Sequence, residues 1–297
     1  MTDFRKIGLL GYGTMGAGIA QVLAASGRDV VVLEVDQRRI DAGTALLADF
    51  LDDEIKRGRA TQEDRTTILA RITGTTEAAD LAGVDAVLES ITENAELKRA
   101  VLATVAAVVG ERIPILTNTS ALSVTDLGAA LPNPARFAGL HFFNAASVMR
   151  TVEVVPAMDT DPELVEDLVR LVDTLPDKTP IVVRDRPGFL VNALLLPYLN
   201  DVIQEYDDGL ATAEDIDVAL KLGLGYKAGP LEMLDLIGLD VHLHATEGIY
   251  AATRDDRYAP PPLLRQMVAG GRLGAKSGHG FRTGPPPGRP RQEPNRP

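Results

Sequence analysis

The sequence predicts an α/β protein: an N-terminal doubly wound, mostly parallel sheet followed by an all-helical C-terminal domain. Three observations carry this. Short apolar runs alternate with helical patterns through the first 185 residues, β-branched alternation stops there, and apolar stretches of helical length follow.

Residues 6–10 read as a buried strand, residues 17–25 as a helix closed by Gly27, and residues 29–35, rich in valine, as a second strand. That order implies a parallel pair joined by a right-handed crossover. Residues 40–57 form a long helical pattern with both signs of charge on its polar face. Further strands fall at 84–89, 113–117, 137–142 and 151–155, with helical stretches between most of them. Val182 and Val183 end the last β-like run, and Arg186-Pro187-Gly188 punctuates the chain. The span 189–206 is apolar on almost every face and reads as a buried helix kinked at Pro197. Thr212 with Asp215 starts another helix in the manner of a capping box. Pro230 opens a third at 231–250, and Pro262 a fourth. The expected domains are therefore 1–185 and 186–283, with a Pro- and Arg-rich tail, 284–297, that has little to bury and is expected to be disordered.

Bulk properties narrow the function. A chain of 297 residues, 45% apolar and 24% charged, is ordinary globular material for two domains. A net charge of −12 disfavours a general nucleic-acid binder, which needs a basic surface. The absence of cysteine excludes thiol catalysis, disulfides and thiolate metal sites, and fits a reducing compartment. No signal peptide fits ahead of the first strand, and no run approaches the ~20 apolar residues that span a membrane. A cytoplasmic protein is expected.

Gly11-Tyr12-Gly13-Thr14-Met15-Gly16 follows a strand and opens a helix. Glycines there permit a tight turn and let backbone amides approach a pyrophosphate at the positive helix end. Asp36, twenty residues past Gly16, is placed to accept hydrogen bonds from a ribose and to repel a 2′-phosphate. A dinucleotide is implied, NAD rather than NADP, although Arg38 and Arg39 offer cations that could hold that phosphate. Glu153 lies among valines on a predicted strand, where an unpaired carboxylate is costly, and His141 on the neighbouring run is its natural partner. Such a pair suits a general base that takes a hydroxyl proton as hydride leaves to nicotinamide. A histidine satisfied within the core is equally compatible with the spacing. His242 and His244 point to different helix faces with no third ligand evident, so no metal site is expected.

Several segments together resemble the L-3-hydroxyacyl-CoA dehydrogenase family. They are residues 11–20, Glu93-Asn94 with Lys98, Asn118-Thr119-Ser120, Leu140-His141-Phe142-Phe143-Asn144, 187–192, 225–232 and 276–281. The likeness runs in order through nearly the whole chain. It implies that His141 is the catalytic base and Glu153 its orienting carboxylate, with Ser120 and Asn192 positioning the substrate. It further implies that Glu93, Lys98, Ser120, Asn144 and Lys276 contact the nicotinamide half or ribose of NAD. Taken alone, Lys98 and Lys276 read equally as solvated charges, Ser120 as a turn residue, and Asn192 as a first-turn residue satisfying backbone. A homodimer through the helical domain is implied as well.

Two departures matter. Where the family generally continues with prolines, this chain has Ala145-Ala146-Ser147, which is expected to widen or loosen the entrance beside the histidine. The resemblance implies that the region around residues 52–59 helps hold CoA phosphates, and here only Lys56, Arg57 and Arg59 could do so, beside Asp52-Asp53-Glu54. The substrate is therefore expected to be an acyl thioester, short-chain acyl-CoA first, with a carrier-protein thioester or a free hydroxy or sugar acid as alternatives. A non-catalytic NAD-binding protein is the remaining possibility, and intact Ser120, His141, Glu153 and Asn192 argue against it.

Overall fold

The computed structural model describes residues 3–283, so the expected tail at 284–297 lies outside the described residues. The chain divides into two compact units between Leu190 and Val191.

The first unit runs β1 (Lys6–Leu10), α1 (Thr14–Ala25), β2 (Asp29–Leu33), α2 (Gln37–Lys56), α3 (Gln62–Ala70), β3 (Ile72–Thr75), β4 (Ala86–Glu89), α4 (Ala95–Val109) and β5 (Ile115–Thr117). It continues with α5 (Val124–Gly128), β6 (Phe137–Phe142), β7 (Thr151–Pro156), α6 (Pro162–Asp173) and β8 (Thr179–Val182). The strands form one eight-stranded sheet in the order β3-β2-β1-β4-β5-β6-β7-β8. Neighbours are parallel except β6 and β7, which run antiparallel.

Alternating side chains explain why the strands read as continuous apolar runs. Val30 and Val32 enter one core with Leu23, Leu47 and Leu168, while Val31 enters the other with Leu102 and Leu127. Both faces of the sheet are covered, so both sets must be apolar. The edge strand β3, Ile-Thr-Gly-Thr, was not anticipated, because its alternate positions are half-buried or exposed and carry no apolar signal.

The first compact unit runs five residues past the expected domain end at 185. Phe189 is buried in the first unit's core, and Leu190 N donates to Glu153 Oε1 at 3.1 Å.

The second unit is helical: α7 (Val191–Asp207), α8 (Ala213–Leu224), α9 (Pro230–Ile237), α10 (Leu239–Thr253) and α11 (Pro262–Ala269). Pro197 lies inside α7, and Thr212 caps α8 by accepting from Asp215 N at 3.1 Å. The single helix expected at 231–250 is two helices, because Gly238 between them has φ +99°, outside the helical region. Leu199, Ile203, Leu231, Leu234, Leu264 and Phe281 form the core. The Asp235 carboxylate accepts from the amides of Phe281, Arg282 and Thr283, fixing the end of this unit.

Candidate active site

The glycine-rich turn joins β1 to α1, and its glycines do different jobs. Gly11 has φ +94°, and a Cβ there would sit 2.7 Å from the Ser90 carbonyl oxygen. A Cβ on Gly16 would meet the Gly11 carbonyl oxygen at 2.1 Å. Gly13 differs: it is the N-cap of α1, has no side-chain cap and faces open space. Thr14 and Met15 begin the helix there, so its positive end and amides face outward, which fits an anionic pyrophosphate.

The acidic group at the end of β2 is Glu34, which the sequence reading passed over. Its Oε1 accepts from Tyr12 N of the glycine-rich turn at 2.7 Å, and its Oε2 from Val35 N at 3.0 Å. Asp36 lies two residues further on and caps α2, accepting from Arg39 N at 2.8 Å. Glu34 thus stands at the end of β2, and Asp36 serves as the cap of α2. The signal was present, since the valine run ends at Leu33 and Asp36 has the spacing of an N-cap.

Lys98, readable as a solvated charge, is 1% exposed. Its Nζ meets Glu89 Oε1 at 2.5 Å, Glu93 Oε2 at 3.2 Å and the Ile91 carbonyl at 3.4 Å. Lys98 is thus held between two carboxylates, one ending β4 and one on the loop that follows it. Glu89, which ends β4 and was also passed over, accepts from Ile91 N at 2.7 Å and Thr117 Oγ1 at 2.6 Å. An acid closing an otherwise apolar buried strand was the available clue. Glu93 accepts from Thr119 Oγ1 at 2.5 Å, Ser120 N at 3.1 Å and Ala121 N at 3.2 Å. Burial raises the Glu93 carboxyl, but Lys98 and the Thr119 and Ser120 donors outweigh it and hold it below the usual range.

His141 and Glu153 are register partners across the antiparallel β6–β7 pair, where side chains of opposed residues share a face. Nδ1 lies 2.6 Å from Glu153 Oε2, with the histidine 3% and the glutamate 0% exposed. The imidazole packs against Phe143 and Phe189, at centroid distances of 4.6 and 5.5 Å. Glu153 is an acceptor, so Nδ1 carries the proton and Nε2 keeps its lone pair. No residue among those described bonds to Nε2. Asn118 Oδ1 accepts from Phe142 N at 2.7 Å and ties the end of β5 to the end of β6. Ser120 is thereby carried on a loop beside the histidine strand.

The loop after Asn144 is a defined turn. Ala145 has φ +62°, its amide donates to Asn144 Oδ1 at 2.9 Å, and its carbonyl accepts from Val148 N and Met149 N. Residue 145 occupies a conformation that proline cannot take. Asn144 and residues 145–148 line a cleft of about 240 Å³ together with Thr14, Phe50, Arg57 and Arg59. The cleft shares Arg59 and Ser147 with an adjoining groove of about 750 Å³ that also carries Arg150. Lys56 lines neither, being exposed and paired with Asp53 at 2.9 Å.

In the second unit, Asn192 is half-buried in the first turn of α7. Lys276 is paired with Asp240 at 2.5 Å. His242 is buried against Asn200, and the described residues contain no cluster of three or more groups able to hold a metal. No described helix is long and apolar enough to cross a membrane.

Comparison with known proteins places the chain in a family. The family model "3-hydroxyacyl-CoA dehydrogenase, NAD binding domain" matches residues 6–186, and the C-terminal domain of the same family matches 188–284. A 3-hydroxybutyryl-CoA dehydrogenase of Mycobacterium tuberculosis is 37% identical over 285 residues, covering 95% of this chain and 100% of that protein. The crystal structure of (S)-3-hydroxybutyryl-CoA dehydrogenase from Ralstonia eutropha superposes with a TM-score of 0.88 at 40% identity, covering 95% of this chain and 99% of that one. A 3-hydroxyadipyl-CoA dehydrogenase of Escherichia coli is 38% identical over 281 residues, 94% of this chain and 59% of that protein. The chain belongs to the 3-hydroxyacyl-CoA dehydrogenase family, and its first unit is that family's NAD-binding domain.

Proposed function

We propose that this NAD-dependent 3-hydroxyacyl-CoA dehydrogenase acts on short-chain substrates such as 3-hydroxybutyryl-CoA, with His141 as general base and Glu153 as its orienting partner. The observation that carries the chemistry is the buried 2.6 Å His141–Glu153 pair with Nε2 left unengaged.

Bound NAD supplies the hydride acceptor. As the C3 hydrogen leaves with its electron pair, the substrate hydroxyl proton passes to His141 Nε2, and C3 becomes a carbonyl. Glu153 stabilises the imidazolium that forms and keeps the ring from turning. In the reverse direction the same imidazolium returns the proton. Ser120, on the loop fixed by Glu93, and Asn192 are proposed to hold the substrate oxygens. Asn144 and Lys276 are proposed contacts of the cofactor, and Glu34 rather than Asp36 the acceptor for its ribose.

Arg57, Arg59 and Arg150 line the cleft and its adjoining groove, interspersed with carboxylates that include Asp53, Glu54 and Asp64. Guanidinium groups in a recess suit nucleotide phosphates, so CoA is favoured over a protein carrier. A homodimer through the helical unit is supported by its exposed Leu194, Leu210, Leu222 and Leu236. The test is NADH oxidation with acetoacetyl-CoA against acetoacetyl carrier protein. Faster turnover of the protein-bound thioester would overturn the choice of CoA, and no turnover of either would overturn the chemistry.

A further inference from the structure

Glu89, Lys98 and Glu93 form a chain of three charged groups that is one positive charge short of neutral. Glu89 Oε1 accepts from Lys98 Nζ and Ile91 N, and Oε2 accepts from Thr117 Oγ1. Both oxygens of Glu89 are thus engaged by donors. Glu93 meets the other side of the same ammonium at 3.2 Å and takes three further donors from residues 119–121. One positive charge is thus divided between two carboxylates.

The sheet places this chain of charges. Strand order reverses between β1 and β4, and a dinucleotide lies across the carboxyl ends of the strands at such a reversal. Glu34, at the end of β2, marks the adenosine side. A nicotinamide half on the other side of the reversal would lie over the ends of β4, β5 and β6, the last of which carries His141. Glu89 ends β4, Glu93 follows it, and Glu93 is bonded to the Ser120 loop at the end of β5. Glu93 is also the exposed member, with 27% of its side chain accessible against 1% for Lys98 and 0% for Glu89.

We propose that the Glu89–Lys98–Glu93 chain sets the redox preference of cofactor binding, its residual negative charge favouring the cationic nicotinamide of NAD+ over the neutral ring of NADH. This rests on NAD occupying the first unit. The His141–Glu153 pair adds negative charge nearby, but it is unchanged by variants of the chain and cancels in the comparison.

The experiment is titration of NAD+ and NADH separately into the wild-type protein and into Glu93→Gln, Glu93→Asp and Glu89→Gln. Removing the charge in Glu93→Gln should raise the ratio of the NAD+ Kd to the NADH Kd by roughly 5- to 30-fold, the range for one charge acting through partly screened protein. Glu93→Asp keeps the charge and should keep the ratio, whatever it does to affinity through the Ser120 loop. Glu89→Gln should move the ratio in the same direction as Glu93→Gln. If Glu89→Gln does not fold, the two Glu93 variants decide the matter. Equal loss of both cofactor forms in Glu93→Gln would show a purely structural role and overturn the proposal. Failure of the wild type to bind either form would instead overturn the NAD reading itself.

Discussion

His141 and Glu153 stand directly opposite each other on the antiparallel β6–β7 pair, so the sheet register itself sets their 2.6 Å contact. Twelve residues of sequence separate them, and the backbone closes that distance without help from a flexible side chain.

This arrangement predicts the consequences of breaking the pair. His141→Gln should lose about 10²–10⁴ in kcat, because the proton acceptor is gone, while NADH binding is retained. Glu153→Gln should lose a similar order, since an amide can hold Nδ1 in the wrong tautomer. Steady-state kinetics with acetoacetyl-CoA and a cofactor titration check both. Full activity in Glu153→Gln would mean that the carboxylate does not orient the base.

Cofactor choice should follow Glu34. A carboxylate at the end of β2 repels a 2′-phosphate by on the order of 1–3 kcal/mol, so NADH should bind more tightly than NADPH. Glu34→Gln should narrow that preference. Asp36→Asn should leave it unchanged, asparagine being an equally good helix cap. A preference that responds to Asp36 and not to Glu34 would reverse the assignment.

Ala145 carries a prediction opposite to the one its place in the family suggests. A left-handed conformation costs an L-residue roughly 1–2 kcal/mol, so Ala145→Gly should raise thermal stability by about 1 kcal/mol. Ala145→Pro should lower it by about 3 kcal/mol or more, because φ +62° is closed to proline and the hydrogen bond from the Ala145 N–H to Asn144 Oδ1 is lost. Denaturant midpoints of the three proteins are sufficient to decide. A stabilised proline variant would mean that the turn is not left-handed.

Acid should destabilise the helical unit through His242. Desolvation by burial lowers its pKa from 6.5 to about 4. Between those values the unfolded chain binds a proton that the folded one does not, so stability falls as pH drops through that window. The loss approaches about 3 kcal/mol by the lower end. In His242→Asn this component should vanish, seen as a flatter dependence of unfolding free energy on pH between 6.5 and 4. An unchanged slope would place the acid sensitivity elsewhere.

The sequence by itself determined the two-part architecture, the glycine-rich turn and the placing of His141 and Glu153 on neighbouring β runs, where the spacing left a core histidine equally possible. These are properties of local pattern. Apolar runs of strand length, the spacing of three glycines and a lone acid among valines each constrain the chain within a few residues. Tertiary structure decided which acid stands at the end of β2, since a strand two residues longer would put Asp36 there in place of Glu34. It decided that Lys98 is buried, because the partner that makes burial tolerable, Glu89, lies on another element nine residues away. It likewise decided the hand of the turn at Ala145, where the carbonyl is held by Val148 and Met149 and overrides the ordinary preference of alanine. Pattern constrains what a residue can be buried against, while the partners that hold a charge or a backbone angle come from folding.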